Sequence, residues 1–461
     1  VLSNASLGRV VMSPRLVKMW DTMKTSLWFL PVLFMGLGVG LGLGLPAVDR
    51  HWPGLSQALR AHWLSTYIPS TLSSSREVLI GMGAALVTVM AVAASVTMVT
   101  VQLASSQYTP RLLRRFMADQ ITQRVLGAYL LTVVYLLLLL GVLGTDDKES
   151  GATPMPLLSL AVALVLTLLC LLLLPHFLHH AARSVEASTL ISSVGKETIR
   201  ELDRMEFSPD EELGVRRPLL SEEPVQLSAK QTGYIQLVDE RRLLAALPPG
   251  IHTVRFEVRT GDFVFPGLPL LSLWPRVSLS ERHQKRLHAA FAVGSTRTTQ
   301  QDALYAVRQL VDMALKALSP AINDVTTALM VVNELGAVGR AVALKGQLGK
   351  GWWVRRSGDV TLLRGGFGLV PFLHDAFGEI PLAATQQPRV LIRVLEVLTQ
   401  LASVEEQDAL RVALVQCGRS VYDAARLAQV REQDLLLIEE RWLALQREVA
   451  HPATAPLPPI Q

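Results

Sequence analysis

The chain has 461 residues, half of them apolar, and a net charge of +5. Charged residues make up 18%, below the roughly 25% of a soluble domain, and mean hydropathy is +0.34. A basic balance, with a pI of about 9.3, suits nucleic acid, anionic lipid or an anionic solute. No nucleic-acid motif is present, and much of the basic charge flanks apolar runs, so a membrane explanation comes first.

Apolar residues concentrate before residue 180 and charges after it, the pattern of a membrane domain followed by a soluble one. The two cysteines, Cys170 and Cys417, form no CxxC pair and fit a reducing compartment. The chain begins at Val1, and nothing before the first apolar run resembles a cleavable signal peptide, so that run is expected to be retained.

Crossing the hydrocarbon core takes about 20 mostly apolar residues. Four segments qualify: Leu27 to Leu45, Val78 to Leu103, Val125 to Leu143 and Leu157 to Leu178. Arg9, Arg15, Lys18 and Lys24 precede the first; Arg111, Arg114, Arg115 and Arg124 lie between the second and third. The loop carrying Asp146, Asp147, Lys148 and Glu149 is net acidic. The positive-inside rule then puts both termini in the cytoplasm, of a bacterial inner membrane. Trp52, Trp63 and Tyr67 in the first outer loop suit an interfacial position, with a short amphipathic helix from Leu55 to Leu64.

In the first span Gly36, Gly40 and Gly44 form a GxxxG ladder, for packing within the chain or between subunits. In the second, Gly81, Thr88, Ser95 and Gln102 recur every seven residues, with Val, Met and Leu expected mostly on other faces. Such a stripe either glues helices together or lines a watery path. No span carries a central charged residue, which argues against a proton-driven transporter and leaves a passive channel open.

After the second span, Thr109 and Pro110 read as the start of a short helix bearing Arg111, Arg114 and Arg115. These arginines meet anionic lipid headgroups or gather small anions at a pore mouth. His176, His179 and His180 share a helix face, but no Cys or acid completes a metal site, and no metal or cofactor is expected.

Residues 181–224 read as a connecting helix and a Pro- and Glu-rich linker. Residues 225–276 carry short β-type runs, and Val258 to Leu271 resembles the turn pattern of lipoyl-like barrel-sandwich modules, without the lysine that would carry a swinging cofactor. Residues 277–450 read as mainly helical, with a hairpin near 352–363, and 451–461 as a disordered tail. Helices are expected from Thr299 to Leu318 and from Thr326 to Leu344, the latter capped by Asn323 or Asp324. The fold class is therefore a four-helix transmembrane domain (26–180, after a cytoplasmic segment 1–25) followed by an α+β cytoplasmic domain.

Three blocks carry a family likeness: Gln107 to Arg115; Gly233 to Gln236 with Arg259 to Val264; and Arg297 to Asp302 continuing into Ala317 to Ala328. On these the chain resembles a bacterial family of predicted membrane proteins catalogued as domain of unknown function 2254. Val325 stands where the family pattern often has Pro. The resemblance implies four membrane helices and a soluble C-terminal domain, and brings no activity with it.

In the third block Arg297, Gln301, Asp302, Asn323, Asp324 and Thr327 form a polar cluster if two helices pack, either a structural hinge or a ligand site. No Walker loop, GxGxxG, HExxH or GxSxG is present, and an enzyme is not expected. Two functions remain. One is a homo-oligomeric passive channel, with Thr88, Ser95 and Gln102 lining the path. The other is a membrane-anchored scaffold or sensor whose cytoplasmic domain binds a partner.

Overall fold

The computed structural model describes residues 26–52, 71–145, 156–204, 223–344, 352–357, 359–365, 368–404 and 408–450. The N-terminal segment, Trp63, Tyr67, the helix expected over Leu55–Leu64, the loop Asp146–Glu149, most of the linker and the tail lie outside them. The chain divides into two compact units, one ending at Glu186 and one beginning at Ala187.

The first unit is built from long helices: α1 (Phe29–His51), α2 (Leu72–Gln107), α3 (Leu113–Met117), α4 (Gln120–Thr145) and α5 (Leu157–Ser184). At 1.5 Å per residue α2 runs about 54 Å, well beyond the roughly 30 Å of hydrocarbon. Thr71 caps it, its hydroxyl accepting from the Ser74 amide at 3.3 Å. Central α4 packs against α1, α2 and α5. Its buried Val125, Tyr129, Tyr135 and Leu139 meet Leu86 and Ala93 of α2 and Cys170 and Phe177 of α5 in one core.

Close approach of α1 to α4 rests on Gly38 and Gly42. A Cβ on Gly38 would sit 2.6 Å from the Leu131 carbonyl oxygen, and one on Gly42 2.8 Å from the Leu138 Cβ. Gly36, Gly40 and Gly44 face open space instead. The ladder singled out in the sequence is therefore on the wrong side of α1 for packing within the chain.

The second unit begins with α6 (Ala187–Arg204) and continues through β1 (Val225–Ser228), β2 (Gly233–Val238), α7 (Glu240–Ala246), β3 (Thr253–Phe256), β4 (Phe263–Val264), β5 (Pro269–Trp274), α8 (Glu281–His288) and β6 (Phe291–Gly294). Next come α9 (Ala303–Ala317), α10 (Val325–Leu344), β7 (Trp352–Ser357), β8 (Val360–Gly365), α11 (Leu369–Phe377), α12 (Ile380–Ala383), α13 (Pro388–Ala402), α14 (Asp408–Leu427) and α15 (Glu432–Ala450). Strands form a five-stranded sheet, β1-β5-β3-β8-β7, and a three-stranded one, β4-β2-β6.

This corrects the boundary drawn at residue 276. The hairpin β7–β8 joins the β-module, with β8 parallel to β3 through Thr253–Thr361 and Val254–Leu362. Strand β6 likewise pairs with β2. A partner strand about sixty or a hundred residues further along the chain leaves no local sign, so these pairings were unreadable from spacing.

Among the described residues five helices, not four, are long and apolar enough to cross a membrane by length and composition, the fifth being α10. It is packed by α6, α9, α11 and α13. Gly336 and Gly339 admit Val397, Phe372 and Leu401, and Val331, Leu335, Val338 and Val342 are buried. A helix apolar all round is either a span or the centre of a core, so hydropathy alone does not separate the two.

Candidate functional site

Helix α2 turns two different faces outward and inward. Leu79, Leu86, Ala93, Thr97 and Ala104 are buried against the rest of the unit. Thr88, Ser95 and Gln102, together with Gly81, are exposed. The Thr88 hydroxyl donates back to the Ala84 carbonyl at 3.0 Å, which satisfies it without a partner helix. Val92 and Val99 follow Thr88 and Ser95 by four residues and are also exposed. The outward face is therefore hydroxyls interleaved with valine, whereas Val was expected mostly on other faces. By contrast α5 shows Leu168, Leu169, Leu171 and Leu172 to the outside, a surface suited to acyl chains.

Below α2 the chain turns sharply. Pro110–Leu112 is a 3-10 turn, so the basic segment is not one helix capped by Thr109. Arg111 is exposed in that turn, and Arg114 and Arg115 follow in α3. The Tyr108 hydroxyl donates to the Val185 carbonyl at 2.5 Å, tying the end of α2 to the end of α5. Asp119 caps α4, accepting from the Ile121 amide at 3.4 Å, the Thr122 amide at 3.0 Å and the Thr122 hydroxyl at 2.5 Å, and it also lies 2.8 Å from His180 Nε2. His176 and His179 are exposed. Asp119 was overlooked in the sequence because it lies sixty residues from the histidines, where Glu186 is nearer in number. Among the described residues no group of three or more His, Cys, Asp or Glu is placed to hold a metal.

At the opposite end of the first unit, buried Asp49 in the last turn of α1 accepts from the Leu158 amide at 3.2 Å, the Ser159 amide at 3.0 Å and the Ser159 hydroxyl at 2.7 Å. The Tyr135 hydroxyl donates to the Ser159 carbonyl at 2.8 Å. Helix α5 starts after Pro156, which has no side-chain acceptor, so its orphan amides are capped by another helix.

The six polar residues of the third block do not form one site. Asp302 is the N-cap of α9, while Asn323 and Asp324 fold back on the other end of it, their amides donating to Ser319 and Ala317 carbonyls at 2.9 and 2.8 Å. Fifteen helical residues, about 22 Å, separate the two groups. Around Asp324, the Thr327 amide and hydroxyl donate to the carboxylate at 3.0 and 2.6 Å and hold its pKa below the usual carboxylate range. Asn323 accepts from Gln387 at 2.8 Å.

The group at Asp302 is a dense polar knot. Arg297 grips the carboxylate with two hydrogen bonds of 2.9 Å and lies over the Tyr305 ring. Gln301, with a left-handed φ of 56°, uses its side-chain amide like a strand partner of Val238, accepting at 3.1 Å and donating at 3.3 Å. Its own amide donates to Glu201, and the Thr299 hydroxyl to Glu197, both on α6. Gly261, at φ +94°, lets the turn approach Asp302 and Arg297 so closely that no side chain fits. Burial pushes the Asp302 carboxyl up to about 6, against the pull of Arg297 and the Tyr305 amide. Glu197, Glu201 and Gly261 complete the knot; Gly261 lay in the second block of motif residues and was not joined to the third.

A family model described as predicted membrane protein (DUF2254) matches residues 24–400. The chain belongs to this family. The DUF2254 match runs from before α1 to the end of α13 and leaves α14 and α15 beyond it. An uncharacterized protein of Mycobacterium tuberculosis and one of Mycobacterium bovis are each 28% identical over 451 residues, covering 95% of this chain and 84% of the relative. No solved structure matches. Membership carries a membrane location, with several apolar helices and a mixed helical and strand C-terminal region, and no activity.

Proposed function

We propose that this DUF2254 protein is a homo-oligomeric membrane protein of the bacterial inner membrane that forms a passive path for an ion or small solute. Its C-terminal unit regulates that path from the cytoplasm, where both termini lie. Four helices, α1, α2, α4 and α5, cross the bilayer, and α10 is a core helix. The observation that carries this is the unfilled outer face of α2. Gly81, Thr88, Ser95 and Gln102 are not consumed by packing within the chain, whereas the outer face of α5 is leucine. Copies arranged with α2 innermost would turn the hydroxyl face to a central path and the leucines to lipid. Arg111, Arg114 and Arg115 then stand near the inner mouth, where they draw anions or anionic headgroups.

Imaging the full chain in lipid nanodiscs tests the reading together with Ser95→Leu. A ring with α2 around a continuous path, and conductance that Ser95→Leu lowers without dispersing the ring, supports it. A monomer, or a closed centre with conductance absent, overturns it.

A second reading is a membrane-anchored scaffold or sensor. It is favoured by the exposed Leu427, Leu436, Leu437 and Leu443 on α14 and α15, which offer a partner an apolar face. Neither reading assigns catalysis to the chain.

A further inference from the structure

The β-module ends in a rigid aromatic tip. Phe263 of β4 and Phe265 just beyond its end face outward, 51% and 53% exposed, on either side of fully buried Val264. Tyr234 of β2 supports Phe263 edge-on at 5.0 Å. The tip closes as a Pro-Gly turn: the Leu268 amide donates to the Phe265 carbonyl at 3.1 Å, and Gly267 has φ +96°. Two half-exposed phenylalanines on a fixed turn are costly in water and hold their geometry without a partner.

Cations border that tip. The Gly267 amide donates to the Ala229 carbonyl at 3.0 Å, and the Ala229 amide to the Leu268 carbonyl at 2.7 Å, so exposed Lys230 emerges beside the turn. Lys230 in turn lies near His288 at the end of α8, whose imidazole it helps keep neutral after burial has lowered its pKa. Lys285 is one turn before His288 on the same side of α8 and is exposed. Arg286, by contrast, is taken up by α7, donating to the Ala245 carbonyl at 2.7 Å. One acid stands at the tip itself: exposed Asp262, next to Phe263, accepts from the Arg259 amide at 2.7 Å, and exposed Arg259 lies on the same turn. The others are engaged elsewhere: Glu240 pairs with Arg364, Asp239 caps α7, and Glu281 opens α8.

We infer that this tip docks on an anionic lipid surface, Phe263 and Phe265 entering the headgroup boundary while Lys230 and Lys285 meet the phosphates. Aromatic rings flanked by lysine and arginine are the side chains that the interface of an anionic leaflet accepts. Nucleic acid would use the cations but leave rigid phenylalanines on a turn unexplained, and a second copy of the chain would bring like charge to like charge. A chain that crosses a bilayer also keeps a leaflet at high effective concentration, so weak docking suffices. The inference stands whether or not α2 lines a path.

The test uses the full chain in nanodiscs of phosphatidylcholine and in nanodiscs of an equal mixture with phosphatidylglycerol. A fluorophore is placed at Phe265→Cys, or at Gln231→Cys, which keeps both phenylalanines. Unsubstituted chain corrects for the native thiols. Quenching by spin-labelled acyl chains should be several-fold stronger in the anionic discs, and Lys230→Glu with Lys285→Glu should remove the difference. Equal, weak quenching in both discs overturns the inference. So does protection that instead tracks cross-linking between two copies.

Discussion

The two units differ in where a helix start can find its acceptor. In the first, Thr71 and Asp119 cap α2 and α4 locally, but α5 borrows from far along the chain: Asp49 of α1 caps it more than a hundred residues on, and Tyr108 and Tyr135 reach distant carbonyls. In the second, caps come from the neighbouring residue: Asp239, Ser280, Asp302 and Asp324 each serve the helix that follows. The difference follows from solvent. A helix end facing water can leave amides to water and gains modestly from a local cap. A helix end in apolar surroundings has no such reserve, so a buried charged acceptor from another helix carries far more.

The largest expected effect therefore falls on Asp49. Asp49→Ala strands the buried amide and hydroxyl of Ser159 and the part-buried amide of Leu158 and should cost about 4 kcal/mol. Asp324→Ala, a local cap, should cost about 1 kcal/mol. Thermal unfolding of both variants in one mild detergent compares them directly. Equal losses would erase the distinction between the units. Asp49→Asn, which retains one acceptor, should fall between wild type and Asp49→Ala.

A second contrast lies within α1. Gly38→Ala forces a methyl against the Leu131 backbone, which cannot move as a side-chain tip can, and should destabilise by about 2 kcal/mol. Gly40→Ala meets nothing in the chain and should stay within about 0.5 kcal/mol. If Gly40→Ala instead disperses an oligomer while the folded chain survives, the outer ladder is a subunit contact. Chromatography at fixed detergent separates the two effects.

These pairs also show what the residues alone can reveal. Apolar runs long enough to span, and local caps such as Ser280 and Asp324, are written in adjacent positions and were readable. Gly at every second position from 36 to 44 holds two interleaved i, i+4 ladders about 200° apart, and spacing cannot say which one meets α4. Asp49 sits so near the end of its apolar run that it reads as loop, and only the uncapped start at Pro156 hints that an acceptor is owed. The Asp302 knot was half legible: Arg297, Gln301 and Asp302 belong together, but Asn323 and Asp324, adjacent in motif, lie at the far end of α9. The length of that helix, visible in the sequence, was the clue against a single cluster.

The effect smallest at any single pH step is a slope, and it probes that knot. Asp302 has a folded pKa of about 6 against 3.8 unperturbed, because burial outweighs Arg297. Between about pH 4 and about pH 6 the folded chain keeps a proton that the unfolded chain has released. Unfolding then releases a proton, so raising the pH through this window favours unfolding. The contribution is full below about pH 4, falls by on the order of 1 kcal/mol per pH unit, and is flat above about pH 6. Asp302→Asn carries no proton to lose and should flatten that part of the profile relative to wild type. Asp324 gives the opposite sign: its pKa is lowered by Thr327, so its contribution is present at neutral pH and is lost as the pH falls below the carboxylate range. Unfolding temperatures of wild type, Asp302→Asn and Asp324→Asn across that range separate the two caps. An unchanged slope in Asp302→Asn would mean that Arg297 holds the carboxylate ionised and that the knot is an ion pair at every pH where the chain folds.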